Sequence, residues 1–375
     1  CNDKWIRLLN NKIPVDVEYI DFAKAFDSVV HSKLLLKLRS FGIDQLLFNW
    51  LKSFLENRTQ VVKINSSFSE ALYVRSGVPQ GSVLGPTLFN MYINDIVSCI
   101  EHCEILLFAD DIKLFHTDPK LLEKDLKNIH EWSLKWQINI SFEKCSILHL
   151  GRNNKNTVYL LDGNPIKSDT TIKDLGILMS ENMSSSEHCM YLFKKCSQIS
   201  SLICKSFLSR KREFIVKAYK VYVLPLLDYC SQVYSPHKIS DINLLERIQR
   251  RFTKNVLRNS ALSYTERLRL LGLQRLEERR IQNDLFLAYC ILNQQFTELG
   301  SLLKVSEQTR NTRSAEKTTF VIDKFHLNIM KYDFSCRVSK IWNSLPIGCT
   351  KSKNFNNFKN NIRTTDLSTF LKGRV

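Results

Sequence analysis

Apolar and polar positions alternate through Val15, Asp16, Val17, Glu18, Tyr19 and Ile20, which predicts a β-strand ending at Asp21. Helical spacing follows over residues 32–39 and 44–55, with a stop and turn at Phe41-Gly42-Ile43 between them. Residues 59–64 and 71–74 are strand-like on either side of polar Asn65-Ser66-Ser67, the pattern of a hairpin. Residues 77–85 hold three glycines and Pro79 and predict a loop. An amphipathic helix then runs to Ile96, with Pro86 near its start. Two apolar runs, 105–108 and 112–115, flank a tight turn at Ala109-Asp110. Residues 121–136 predict a further amphipathic helix, and 138–150 and 158–161 give more strand signals. From about Ser186 the pattern becomes helical, with long stretches at 212–223 and 241–257 and a short helix at 334–345. Residues 309–319 are polar and charged and predict a linker. No tandem repeat is present.

Composition narrows the class. The 375 residues are 44% hydrophobic and 10% aromatic, enough for a sizeable core in two or three subdomains. A formal charge of +17 favours a polyanionic partner, nucleic acid before an anionic membrane, over a merely basic soluble protein. No run of eighteen or more apolar residues predicts a membrane span, and no signal peptide opens the chain. Eleven cysteines are too few for a disulfide scaffold of this length and point to a reducing compartment. Cys189, Cys196 and Cys204 recur along one helix face as small buried hydrophobes. Cys99, His102 and Cys103 lack a second pair at zinc-finger spacing, so a zinc site is disfavoured.

The chemistry lies in three carboxylates. Asp21 ends the first predicted strand, and Asp110 and Asp111 occupy a hairpin turn where Asn-Gly or Asp-Gly would be expected. Carboxylates at the edge of apolar strands are costly unless their charge is offset, and two Mg²⁺ ions are the usual answer. That points to nucleotidyl transfer, with Asp21 and Asp110 as ligands of both ions and Asp111 as the weaker third. Asp27 reads instead as a turn or cap residue.

These residues resemble a known family. Asp21 to Asp27, the Ser76-Gly77-Val78-Pro79-Gln80-Gly81-Ser82-Val83-Leu84-Gly85-Pro86 string and Phe108-Ala109-Asp110-Asp111 look like motifs A, B and C of reverse transcriptases. The second string and the residues up to Asp95 are similar to non-LTR (LINE-type) retrotransposons, especially the jockey-like group. Residues 132–150 resemble motif D, and Lys173-Asp174-Leu175-Gly176-Ile177 resembles motif E, the primer grip. Residues 244–254 and Ile341-Trp342-Asn343-Ser344-Leu345-Pro346 resemble that group's thumb and C-terminal extension.

The resemblance implies an α+β fold: a polymerase palm with a small antiparallel sheet, then a mostly α-helical thumb and C-terminal extension. The implied domains are 1–180, 181–308 and 309–375. It implies RNA-directed DNA polymerisation on an RNA template from a DNA primer, with dNTPs and two Mg²⁺ ions, Mn²⁺ being a possible substitute. The Phe22 carbonyl becomes a further metal ligand, and Phe26 a steric gate against a 2′-hydroxyl. Gln80 and Gly81 would line the incoming nucleotide and the template base, and Lys144 would protonate the pyrophosphate. Read alone, Phe26 is also a core aromatic, Gly81 a turn glycine and Lys144 a surface lysine. Arg247, Arg250, Arg251, Lys254 and Arg258 share a helix face suited to phosphates, with no acid between Glu246 and Glu266. Residues 266–280 mix both signs and carry no assignment.

The family's fingers lie upstream of motif A, and the chain opens at Cys1 without them or an endonuclease. The expectation is a fragment with weak or no activity by itself. The alternative is a nucleic-acid-binding remnant without turnover; another is a different palm polymerase, which Phe26 and the C-terminal string argue against. A nuclear destination follows only from the resemblance, since such elements copy into chromosomal DNA.

Overall fold

In the computed structural model, the strand Val15–Ile20 is the centre of a five-stranded sheet. The structure describes residues 1–207, 211–259, 261–306 and 318–373; most of the expected linker at 309–319 lies outside them. The chain divides into two units: Ile13–Ile172, and Cys1–Lys12 together with Lys173–Val375. The N-terminal helix Asn2–Asn10 therefore groups with the helical half. The whole is α+β.

In the sheet unit, the order is Lys167–Ser168, Ser146–Leu150, Val15–Ile20, Asp111–His116 and Glu104–Phe108. The long strands pair antiparallel, and only the short edge strand Lys167–Ser168 is parallel to its neighbour. The alternation in Val15–Ile20 predicts one wet face, yet Asp16 and Glu18 are buried as well as Val15 and Val17. Neighbouring strands pair along both edges, and side chains on both faces are buried. Asp16 is satisfied there by His149 Nδ1 and Asn154 Nδ2, each at 2.7 Å, and by the Tyr159 hydroxyl. These bonds hold its carboxyl below the usual range against the opposing effect of burial.

Helices His31–Ser40, Gln45–Leu55, Leu84–Ile93 and Pro119–Trp136 pack a core that includes Leu34, Leu51, Phe89, Tyr92 and Leu126. Asp44 and Asp118 cap two of them by accepting from Leu46 and Lys120 amides. The helix expected from Pro86 starts earlier, at Leu84, so Pro86 sits in its first turn, where a missing N–H costs nothing. The strand expected over 138–150 is confined to Ser146–Leu150; before it, Ile140 makes a lone bridge to Phe22, and the Lys144 and Cys145 amides turn back onto the Ser141 carbonyl. The hairpin at 59–74 consists of two short ladders, Thr59–Gln60 with Leu72–Tyr73 and Lys63–Ile64 with Ser67–Phe68. Between them the Ser69 hydroxyl takes the Val62 amide, which interrupts regular pairing.

In the other unit, the helix Ser186–Ser206 buries Cys189 and Cys196 while Cys204 is half-buried at its frayed end. It packs beside Ile239–Leu257, where Tyr219 from Arg212–Tyr222 stacks on Phe252 at 4.0 Å. Buried Glu246 joins three helices: it accepts from the Tyr264 hydroxyl and from the Leu276 amide at the start of Leu276–Leu292. Leu276–Leu292, Phe334–Ser344 and Phe355–Thr364 enclose a second core around Tyr289, Trp342 and Phe358. The N-terminal helix is tied to this unit by Asn10, whose side-chain oxygen accepts from the His326 and Leu327 amides.

Candidate active site

The register of the central strands brings the carboxylates to one end of the sheet. Ile20 pairs with Ile112 and Phe108 with Asp111. One step beyond the last pair, Asp21 leaves its strand opposite the point where Asp111 enters the neighbouring one. Asp110 lies in the intervening two-residue turn. Its neighbour Ala109 has φ 52°, left-handed backbone that costs a residue with a Cβ about 1–2 kcal/mol. A glycine would relieve that cost, so the turn favours placement over ease.

Asp21 is positioned by its own carbonyl, which accepts the Ser141 amide at 2.8 Å. The turn so formed carries Lys144, whose Nζ reaches Asp21 Oδ1 at 3.2 Å. The lysine is 63% exposed and the aspartate 35%, so this pair is wet and weak, easily exchanged for another partner. Phe22 is buried beside Trp132, 6.3 Å between centroids, with its backbone in the bridge to Ile140.

Phe26 stacks on Phe89 at 4.3 Å and 17°, half-buried against the core. Its reading as a core aromatic therefore holds, and the stack also fixes the plane of the ring. Asp27, expected as a turn or cap residue, accepts the side-chain amide of Gln80 at 2.9 Å. The glycine loop is held by its backbone. The Gly77 amide donates to Val29 and the Val78 amide to Phe26, while the Gly77 carbonyl faces His31 Nε2 at 2.8 Å and accepts from Arg58 at 3.0 Å. Gly81, at φ +81°, has open space where a Cβ would project. Gly85 has none: a Cβ there would lie 2.6 Å from the Pro79 carbonyl oxygen.

The donors at the strand ends are hard oxygens of the type Mg²⁺ selects. Among the described residues no three His, Cys, Asp or Glu side chains are gathered closely enough to hold a metal unaided. Mg²⁺ typically takes one or two carboxylates and completes its shell with water and substrate phosphates, so Asp21 and Asp110 fit that use. Cys99 Sγ bonds the Ile96 carbonyl, and the Cys103 amide bonds Asp125.

Four of the five basic residues lie on Ile239–Leu257, whose inner face is Ile242, Leu245, Ile248, Gln249 and Phe252; Arg258, expected on the same face, is instead the C-cap, where left-handed backbone at φ 50° ends the helix. Arg247, Arg251, Lys254 and Arg258 are exposed. Arg250 alone is half-buried, bordering the buried face with its guanidinium 4.1 Å from the Tyr264 centroid; exposed Arg247 lies over the Phe193 ring at 4.6 Å. Of the described residues, no helix is long and apolar enough to cross a membrane.

Sequence patterning missed two polar features. The cluster around Asp16 draws on residues 133 to 143 positions away, beyond any local signal. Glu18, 1% exposed, has no hydrogen-bond partner for either carboxyl oxygen among the described residues. Burial, with the Asp16 charge adding to it, pushes its carboxyl up to about 8.

Comparison with known proteins agrees with the motifs. Residues 17–192 match the family model of the reverse transcriptase (RNA-dependent DNA polymerase). The RNA-directed DNA polymerase from mobile element jockey of Drosophila melanogaster is 28% identical over 272 residues, 67% of this chain and 29% of that protein. The retrovirus-related Pol polyprotein from type-1 retrotransposable element R2 of Popillia japonica is 25% identical over 263 residues, 64% of this chain and 42% of that protein. The chain thus spans less than a third of its jockey relative. The solved apo telomerase of Candida tropicalis aligns with 74% of this chain and 49% of its own, at 14% identity and a TM-score of 0.40. Reverse transcriptases use divalent metal ions and act on RNA templates. Residues 17–192 are a reverse transcriptase domain of the kind carried by the RNA-directed DNA polymerases of non-LTR retrotransposons.

Proposed function

We propose that this chain contributes the polymerising centre of an RNA-directed DNA polymerase that extends a DNA 3′ end on an RNA template with dNTPs. The observation that supports it most is the Ile20–Ile112 register, which sets Asp21 and the Asp110-Asp111 turn at one end of adjacent strands. Asp21 and Asp110 would hold two Mg²⁺ ions, or Mn²⁺, with Asp111 and the Phe22 carbonyl as further donors. Bound there, the ions lower the pKa of the attacking hydroxyl and offset triphosphate charge. Lys144, which reaches Asp21 at 3.2 Å, would give a proton to the departing pyrophosphate. Phe26, braced on Phe89, excludes a 2′-hydroxyl. Gln80 and Gly81 line the nucleotide and template base, Gly81 with open space at its Cβ position. Arg247, Arg251, Lys254 and Arg258 track duplex phosphates, with Arg250 as a braced neighbour. On this reading residues up to 180 act as palm, 181–308 as thumb and 309–375 as extension, and the site of action is nuclear.

Primer extension on a DNA-primed RNA template, with dNTPs and Mg²⁺ or Mn²⁺, tests it. Any extension by the parent should be weak and should be lost in Asp110→Ala; equal extension by both refutes the assignment. Mn²⁺ binding followed by its paramagnetic signal gives a second readout, expected to weaken in Asp21→Asn and Asp110→Asn. A second reading, a nucleic-acid-binding chain without turnover, draws on the exposed stripe with no acid from Arg247 to Arg258. Salt-sensitive duplex binding with no extension would favour it.

A further inference from the structure

A cavity of about 280 Å³ lies within the helical unit; its lining includes Ile341, the first residue of the C-terminal string, and none of the residues of motifs A to E. Its walls come from Leu276–Leu292, from Phe334–Ser344, from the loops around His237 and Tyr332, and from residues 369–372. Its size is near the lower end of ligand pockets, roughly 300 Å³.

The charges around it do not balance. Two acids line the cavity, and both are already committed. Asp284 takes a two-pronged contact from Arg337, at 2.7 and 3.0 Å. Glu277 accepts the Lys372 and Gly373 amides, at 2.8 and 3.0 Å, and so ties the C-terminal segment down. Gly373 is needed for that closure, since a Cβ would lie 2.9 Å from Ile242 and 3.1 Å from the Glu277 carboxylate. Four cations remain: Arg280, Lys331, Lys340 and Lys372. None is ion-paired within 4.0 Å among the described residues, although the Arg280 field also reaches Asp284.

Arg280 is the central observation. It is 3% exposed, and its Nη2 is buried without an acceptor among the described residues. A guanidinium held in the cavity wall without an ion pair among the described residues costs free energy that an anion in the cavity would offset. One wall is flat and partly apolar: the His237 ring stacks on Tyr332 at 4.4 Å and 6°, and Lys372 Nζ lies 4.1 Å from the Tyr332 centroid. Burial and the nearby lysines Lys238 and Lys372 hold His237 below its usual range.

We propose that this cavity is a phosphate-binding site, in which Arg280 donates to a phosphate oxygen and Lys331, Lys340 and Lys372 neutralise its charge at the rim. Planar guanidinium donors suit phosphate oxygens, and lysines serve as point charges beside them. The phosphate comes either from a nucleic-acid backbone or from a free ion; both present the same oxygens. The site is independent of the polymerising centre and does not require it to turn over.

The test uses the full chain, with inorganic phosphate and a short single-stranded RNA as probes. Titration calorimetry should show saturable phosphate binding to the parent. Arg280→Gln should weaken it at least tenfold. Lys331→Ala/Lys340→Ala, at positions that are not fully buried, should weaken it several-fold without disturbing the fold. Lys353→Ala, an exposed cation outside the cavity lining, should leave it unchanged. If the RNA displaces phosphate, and does so less well in the lysine double variant, the backbone is the source; if it does not, the free ion is. Absence of saturable phosphate binding overturns the proposal. So does binding that persists undiminished in the lysine double variant, whether or not Arg280→Gln folds.

Discussion

The Gln80 side-chain amide donates to Asp27 Oδ1 at 2.9 Å, joining two segments 53 residues apart in sequence. The contact is possible because the chain just before it, at Gly77, passes against the backbone of Phe26 and Asp27. Motif A and the glycine loop are therefore one packed object.

Gly77 is the residue that permits this approach. Its φ is +86°, and a Cβ would meet Asp27 Cα at 2.9 Å and the Asp27 and Phe26 carbonyl oxygens at 3.0 and 3.1 Å. Gly77→Ala should destabilise the sheet unit by about 2–4 kcal/mol, combining left-handed strain with a clash that rigid backbone cannot relax. Urea unfolding followed by tryptophan fluorescence measures this, and a loss below about 1 kcal/mol would contradict such close packing.

Glu18 should make stability fall as pH rises. Its carboxyl ionises near 4.5 when unfolded and is pushed up to about 8 in the fold. Between these values the native chain keeps a proton that the unfolded chain has lost. Stability should therefore decline by up to about 1.4 kcal/mol per pH unit across that window, with the full penalty present above it. Glu18→Leu, beside Leu114 and Ile147 in register, should remove the decline. Denaturation at pH 5 and pH 8.5 compares the two, and identical pH profiles would rule the buried acid out as the cause.

Phe26 carries two roles that one substitution separates. Phe26→Ala removes the stack on Phe89 and should cost about 1–3 kcal/mol, less than for a fully buried ring because Phe26 is half-buried. It should also raise the use of rNTPs relative to dNTPs in primer extension. Phe26→Val should keep more stability and show the same relaxation. An unchanged rNTP-to-dNTP ratio in both would leave Phe26 as a packing residue only.

The exposed cations on Ile239–Leu257 should contribute to duplex affinity through counterion release. Replacing Arg247, Arg251 and Lys254 with Gln should make log affinity fall less steeply with log salt. The slope should flatten by about 0.9 for every phosphate of duplex DNA that the variant no longer neutralises. Arg250→Gln should change the slope less and stability more, since its guanidinium sits on Tyr264. A slope unaffected by the triple variant would reduce the stripe to a solvated face.

Local chemistry alone determined much of this protein. The strand at residues 15–20, the helices around 32–39, 44–55 and 121–136, and the turn at Ala109-Asp110 follow from periodicity, caps and hydrophobic spacing, which act over a few residues. The motif strings likewise identified the reverse transcriptase domain, because their residue types and order are dense in information over short spans. Tertiary structure decided the rest. It buried Glu18 as well as Val17, because the chain packs over both faces of the central strand. It turned Arg250 away from the stripe, where helical spacing alone could not distinguish it from Arg251. It drew Glu277, Arg280, Arg337 and Lys372 around one cavity from segments up to 95 residues apart. A sequence pattern reports which face of an element is apolar; which distant charges share that face is set only when the elements pack.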